Sequence, residues 1–314
     1  MPRYIYDGSG QSPLLLFYRW GDRSQGIRGR KPLQDQTCRT TCKKIIIMTP
    51  TPIFDPHTKG RGMRIAAFMS GSGTNVIRLL ERQKELEKEP GGSPFHIIFI
   101  FSDRSDGGSA GEKIALDKGI PYFSYDIRKF YSLKGLKRSA VTPATLSARR
   151  EFDAVASRLI KAFDIDIIAL AGYMSYLTLH RCVNVHPADL SLLTSDGKRK
   201  YVGDYAVGDA IANGQTSLRS STIWIDAGVD TGPILMISNA LTVTLPSLLP
   251  DLLKDREAFK KVVDVHQRRL KELGDWRIFP QTVEMIARGR FSIDEGSNVY
   301  VDGKPIPKGY RLEE

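Results

Sequence analysis

The sequence predicts an α/β fold built on a doubly wound, mostly parallel sheet, and three observations carry that prediction. From Met63 onward, apolar runs of strand length alternate with runs of helical period. A glycine-rich turn joins the first strand to its helix, and polar motifs collect where later strands end. Strands separated by helices pair in parallel, because a crossover of helical length is what parallel neighbours require.

The elements follow in order. Arg64 to Met69 reads as a strand, Ser70 to Thr74 as a loop, and Asn75 to about Lys88 as a helix. His96 to Phe101 is the next strand, Gly111 to Lys118 a helix, and Pro121 to Tyr125 a short strand. Lys129 to Ser147 is basic, contains Ser and Thr, and has no period, so it reads as a surface insertion. Ala148 to Phe163 is amphipathic, Asp166 to Leu170 is a buried strand, and Cys182 to Val185 is another, ended by Pro187. Beyond Asp230 come a strand from Ile234 to Val243, helical sequence from about Leu249 to Leu273, a helix from Phe279 to Arg288, and a hairpin around Asp302-Gly303. The chain has no internal repeat.

Residues 1–62 differ in character. They lack a sustained period, are rich in Gly, Pro, Arg and Thr, and read as a basic, disordered extension ahead of a domain spanning 63–314. A start assigned too early is an alternative, since Met48 and Met63 lie downstream. This stretch has 11 Lys/Arg against 4 Asp/Glu, so it holds +7 of the net charge of +11. The remainder is only mildly basic and has no aromatic and basic interleaving, which argues against a nucleic-acid partner. Apolar runs such as Ile97 to Phe101 are strand-sized, so no membrane span is expected. Three cysteines, Cys38, Cys42 and Cys182, make neither a disulfide framework nor a metal site of usual spacing, and a reduced, cytoplasmic setting follows.

The chemistry gathers in two places. Asn184 and His186 stand two residues apart on one strand, so both project to one face while Val185 faces the core. An amide can donate to an oxyanion, an imidazole exchanges protons near neutrality, and a carboxylate such as Asp230 can orient and charge-stabilise the ring. Taken singly, His186 also reads as a core histidine and Asp230 as a turn residue. The second place is Ser70-Gly71-Ser72-Gly73-Thr74-Asn75, where glycines let the chain turn tightly ahead of a helix N-terminus and phosphate is the natural ligand. Val76 stands where a dinucleotide fingerprint has its third glycine, and no Lys-Ser/Thr follows, so a single phosphomonoester fits better than NAD or ATP.

These residues resemble the folate-dependent formyltransferases, most nearly their phosphoribosylglycinamide branch. The resemblance runs in order through Ser70 to Asn75, Leu170-Ala-Gly-Tyr-Met174, Asn184-Val-His-Pro187, Gly203 through Gly214, Val229-Asp-Thr-Gly-Pro-Ile234, and Asp302 to Tyr310. It implies a Rossmann-like fold of that family and Asn184, His186 and Asp230 as the catalytic set. It further implies a phosphate site at Gly71, Gly73, Thr74 and Asn75, helped by Arg149 or Arg150. The folate would lie against Met174, Ser175, Tyr176 and Leu177. The implied co-substrate is 10-formyltetrahydrofolate with no metal, and the implied acceptor is a phosphorylated amine, glycinamide ribonucleotide of purine synthesis first among them. The protein would be a monomer or homodimer.

Three departures bear on the acceptor. Ala188-Asp189-Leu190-Ser191 replaces the Ser-Leu-Leu-Pro usual after Asn-x-His-Pro, and a polar insertion, Thr194 to Lys200, follows it. Tyr205 stands where the family has a histidine, and Ser175 where it has an arginine. The insertion reads either as a lid whose Lys198, Arg199 and Lys200 meet an anionic substrate or as a solvated loop; Asp189 and Asp204 read as substrate contacts or as caps. Alternatives to the lead function are a formyltetrahydrofolate deformylase, with water in place of the amine, an N-formyltransferase acting on another amine such as an amino sugar, and an inactive folate binder.

Overall fold

Strands form where apolar residues run together, and helices where they recur every three or four positions. A computed structural model describes residues 49–138 and 142–311. The chain divides into two units, Met1–Ile47 and Met48–Glu314, and the first lies outside the described residues. The second opens with β1 (Thr51–Pro52), α1 (Pro56–Lys59), β2 (Met63–Met69), α2 (Thr74–Leu86), β3 (Phe95–Ser102), α3 (Gly111–Lys118) and β4 (Tyr122–Ser124). It continues with α4 (Ile127–Leu133), α5 (Pro143–Ala162), β5 (Ile167–Leu170), β6 (Cys182–His186), α6 (Ala206–Ala212), β7 (Ser217–Leu218), β8 (Ser221–Trp224) and β9 (Ile234–Ile237). The last part holds β10 (Leu241–Thr242), α7 (Leu249–Leu252), α8 (Arg256–Leu270), α9 (Trp276–Ala287), β11 (Phe291–Ile293), β12 (Val299–Val301), β13 (Lys304–Pro305) and β14 (Tyr310–Arg311).

Eight strands form the main sheet in the order β14-β9-β8-β6-β5-β2-β3-β4. From β6 to β4 every pairing is parallel, whereas β8 runs antiparallel to both β6 and β9. Side chains sort with the two-residue period of a strand. Ile65, Ala67 and Met69 of β2 pack with Val76 and Leu79 of α2 and Val283 of α9, while Ala66 and Phe68 pack with Phe99, Ile168 and Ala156 of α5. Coverage on both faces explains why these strands are apolar throughout. In β6, Val183 and Val185 take the α2/α9 face and Cys182 the α5 face, so Asn184 and His186 project to the side that carries α5.

The structure corrects several expectations. The extension is part of the fold from residue 49: β1 pairs with β11, Ile53 and Phe54 are buried, and Arg61 bonds to both Asp164 and Asp166. One short apolar pair has no period to read, and its core lies far along the chain. The expected insertion at Lys129 to Ser147 overlaps α4 and the start of α5, where buried Tyr131 donates to the Thr145 carbonyl at 3.0 Å. Residues 139–141 lie outside the described residues. The strand expected over Ile234 to Val243 is two strands, because β10 leaves the main sheet to pair with β7. The helical stretch from Leu249 breaks at Asp255, which caps α8 by accepting from the Glu257 and Ala258 amides. A single π turn, Lys271–Asp275, then runs α8 into α9, which starts ahead of the expected Phe279.

Candidate active site

β6 ends at His186 because Pro187 cannot extend the ladder. Asn184 is half-buried, pairs with Leu170 of β5 and Ile223 of β8, and its side-chain amide has no protein partner among the described residues. An unengaged amide at a strand end is free to donate to a ligand.

Asp230 arrives by a longer route. The turn after β8 begins beside the start of β6, where the Ile225 amide donates to the Cys182 carbonyl at 2.9 Å. To reach His186 it must double back along β6 by about 13 Å, four residues at strand rise. Asp226 braces the turn by accepting from the Gly228 amide at 2.9 Å and the Thr231 hydroxyl at 2.7 Å. Gly232 passes so near Trp224 that a Cβ would lie 1.9 Å from its carbonyl oxygen, so only glycine fits. Asp230 itself is left-handed, with φ of 52°. Its Oδ2 accepts from the Gly203 amide at 3.0 Å and stands 3.4 Å from His186 Nδ1.

The His186 ring is buried between two oxygens, Asp230 Oδ2 at Nδ1 and the Tyr201 carbonyl 3.2 Å from Nε2. Either neutral tautomer leaves one ring lone pair facing an oxygen; only the imidazolium donates to both. Burial pushes the imidazole below its ordinary value, against the opposing pull of Asp230 and the Tyr201 carbonyl, with Asp204 adding to that pull and Arg199 opposing it. The pair therefore balances desolvation against two acceptors.

The glycine loop is held in place by its flanks. The Ser70 amide donates to the Gly172 carbonyl at 3.1 Å, the Met174 amide to Ser70 Oγ at 3.0 Å, and the Ala110 amide to the Gly71 carbonyl at 3.0 Å. Gly73 has φ of 68°, and a Cβ there would sit 2.5 Å from Ile114 Cδ1, so glycine is required. No side chain caps α2, which leaves first-turn amides open beyond Thr74. Asn75 is buried and its Oδ1 has no partner among the described residues.

The other expected ligands divide. Arg149 is buried, bonding Asp153 at 3.0 and 2.7 Å and the Tyr173 hydroxyl at 3.1 Å, so its guanidinium is spent inside the protein. Adjacent helical positions face about 100° apart, and the exposed arginine is Arg150. Ser175 donates to buried Asp103, and Leu177 packs in the core beside α5. Met174 and Tyr176 stay exposed, with the Tyr176 hydroxyl 3.3 Å from the Ala227 carbonyl; exposed Val229 lies on the same turn. These three offer apolar surface to a ring.

The structure also brings in residues whose roles the sequence did not single out. Tyr201 and Gly203 act through backbone groups, which leave no side-chain signature. Asp226 carries one, an Asx turn in Asp226-x-Gly228. Arg199, expected to meet substrate or solvent, instead bonds the Asp230 and Gly232 carbonyls. Asp189 accepts from the Ser191 amide at 3.0 Å, a local turn contact. Among the described residues, no His, Cys, Asp and Glu group could hold a metal ion, and no helix is long and apolar enough to cross a membrane.

Comparison with known proteins follows the same line. The chain is 26% identical over 258 residues to the phosphoribosylglycinamide formyltransferase of Haemophilus influenzae, covering 80% of this chain and 99% of that one. It is 27% identical over 236 residues to the trifunctional purine biosynthetic protein adenosine-3 of Drosophila melanogaster, covering 73% of this chain but only 14% of that protein's length. The fold is shared with the phosphoribosylglycinamide formyltransferase of Coxiella burnetii, at a TM-score of 0.56 and 24% identity over 81% of this chain and all of that one. Residues 63–251 match the formyl transferase family, so the chain belongs to that family of enzymes.

Proposed function

We propose that the chain transfers a formyl group from 10-formyltetrahydrofolate to the amine of a phosphorylated small molecule, with glycinamide ribonucleotide as the acceptor. The observation that carries this reading is the meeting of His186 and Asp230 on the strand that also presents the unengaged Asn184 amide. The glycine loop after β2 lies two strand positions away, about 10 Å, a distance that a phosphorylated sugar bearing an amine can bridge. Open amides at α2 suit the phosphate, and the unpartnered Asn75 oxygen suits a hydroxyl donor. Exposed Met174, Tyr176 and Val229 suit the face of a pterin ring. The acceptor named for the Haemophilus relative supports the same choice.

In this reading Asn184 donates to the formyl oxygen as it gains charge on attack by the amine. His186 takes the proton that the amine loses, the C–N bond to the folate nitrogen breaks, and His186 returns the proton there. The imidazolium formed in between donates through Nδ1 to the Asp230 carboxylate, with the substrate in place of the Tyr201 carbonyl at Nε2. The substrate must displace that carbonyl to meet Nε2 directly.

The test is to follow conversion of 10-formyltetrahydrofolate to tetrahydrofolate with and without glycinamide ribonucleotide. Turnover that depends on the amine is expected; turnover without it would replace this reading with a deformylase. Asn184→Ala should lower kcat by about 10²–10³, the usual cost of one oxyanion donor, and near-normal turnover would remove Asn184 from the mechanism.

A further inference from the structure

Within the family-departing stretch Thr194 to Lys200, one side chain faces inward. The stretch folds as a tight hairpin: the Thr194 amide donates to the Lys198 carbonyl at 2.8 Å, the Lys200 amide to the Leu192 carbonyl at 3.0 Å, and Leu193 bridges Arg199 across it. Lys198 and Lys200 are exposed, whereas Arg199 is half-buried. Its Nη1 donates to the Asp230 carbonyl and its Nη2 to the Gly232 carbonyl at 2.6 Å, so one guanidinium spans the turn that carries Asp230. A planar fork matches two carbonyls in a way that a lysine ammonium, a point charge, does not.

We propose that Arg199 is a positioning residue, a clamp that holds the Asp230 turn in the left-handed conformation from which its carboxylate reaches His186. The need for a clamp is visible in the chain. Asp230 sits at a φ of 52°, which a non-glycine residue adopts at a cost, on a turn that has doubled back from the far end of β6. Without support its carboxylate, already 3.4 Å from the ring, would drift out of contact. Residues 199, 201 and 203 contact the Asp230 backbone, His186 Nε2 and Asp230 Oδ2 in turn, so one short segment orders both members of the pair. Arg199 also faces Asp226 on the same turn, and its charge opposes that of a protonated His186, while Asp230 and Asp204 favour it. Arg199 therefore acts in two ways that separate experimentally: by geometry through Asp230, and by charge on the ring.

The kinetic arm of the test rests on the formyl-transfer reading; the spectroscopic arm does not. In the full chain, Arg199→Lys keeps the charge and loses the fork, and Arg199→Gln loses both. Each is made alone and with Asp230→Asn, measuring kcat and KM for glycinamide ribonucleotide and titrating the His186 ring by NMR. Both single variants should lose about 10- to 100-fold in kcat with KM nearly unchanged, as for a misplaced group near the chemistry. Added to Asp230→Asn, each should cost less than about twofold more. The His186 titration should move downward in Arg199→Lys, which keeps the charge but lets Asp230 leave the ring, and lie higher in Arg199→Gln than in Arg199→Lys, because the opposing charge is gone as well. Parent-like kcat in both variants, or the same loss persisting in Asp230→Asn, would overturn the clamp. Absence of any formyl transfer by the parent would defeat the functional reading alone; the clamp would then stand or fall on whether the His186 resonances and titration respond to Arg199→Lys, which keeps the charge and loses the fork.

Discussion

Two acid–base pairs in this protein lie on the same side of the sheet and are built in opposite ways. Arg149 and Asp153 sit one turn apart on α5, buried together, with a two-pronged contact at 3.0 and 2.7 Å and further bonds from the Thr178 amide and hydroxyl, both at 2.7 Å. His186 and Asp230 come from a strand end and a distant turn, meet at a single 3.4 Å contact, and depend on a third segment for support. A pair whose spacing the helix dictates is saturated and rigid. A pair assembled across the fold keeps unsatisfied capacity, which is what proton transfer needs.

That contrast can be broken or sharpened by substitution. The largest effect should come from Asp153→Ala, which strands a buried guanidinium and should cost about 3–5 kcal/mol in urea-unfolding stability. A loss under about 1 kcal/mol would show that water reaches Arg149 and that the pair is not rigid in the sense argued. Asp230→Asn should do the reverse, lowering kcat by about 100-fold while leaving stability within about 1 kcal/mol. Equal damage to stability would make the second pair structural as well.

A third buried acid tests what happens with no cationic hydrogen-bond partner at all. Asp275 accepts from the Ser220 hydroxyl at 2.6 Å, and burial pushes its carboxyl up to about 6. With the folded value above the unfolded 3.8, its contribution is full below that value and is lost as pH rises toward about 6. Asp275→Asn should therefore stabilise by about 2–3 kcal/mol above pH 6 and by little near pH 4 in thermal melts. His186 has the opposite window. Its lowered value contributes stability that is full above the ordinary 6.5 and lost as pH falls through the folded value. The smallest change should be Thr142→Ala, which removes the capping box of the helix carrying the rigid pair and should cost about 1 kcal/mol. Its signature is a lower melting temperature with kcat unaffected.

The α/β class and the helix Gly111–Lys118 were legible because each rests on local periodicity. The facing of Asn184 and His186 was equally legible, since alternation along one strand needs no partner. Arg149 shows the limit of reading by resemblance: the resemblance implies it as a phosphate ligand, and the phase of α5 turns it toward Asp153 instead. The run from Ile234 to Val243 looked continuous because nothing in the sequence marks a change of partner from β8 to β7.

By itself, then, the sequence determined the elements, the glycine turn and the residue types able to move a proton, because short-range sterics and hydrophobic periodicity act between near neighbours. Only the tertiary structure decided that β1 belongs to the domain, that β8 runs against β6, and that the Asp230 turn doubles back to His186 under an arginine from an insertion. Those outcomes depend on contacts between residues far apart in the chain and on backbone carbonyls and amides, which every residue carries and no sequence pattern distinguishes.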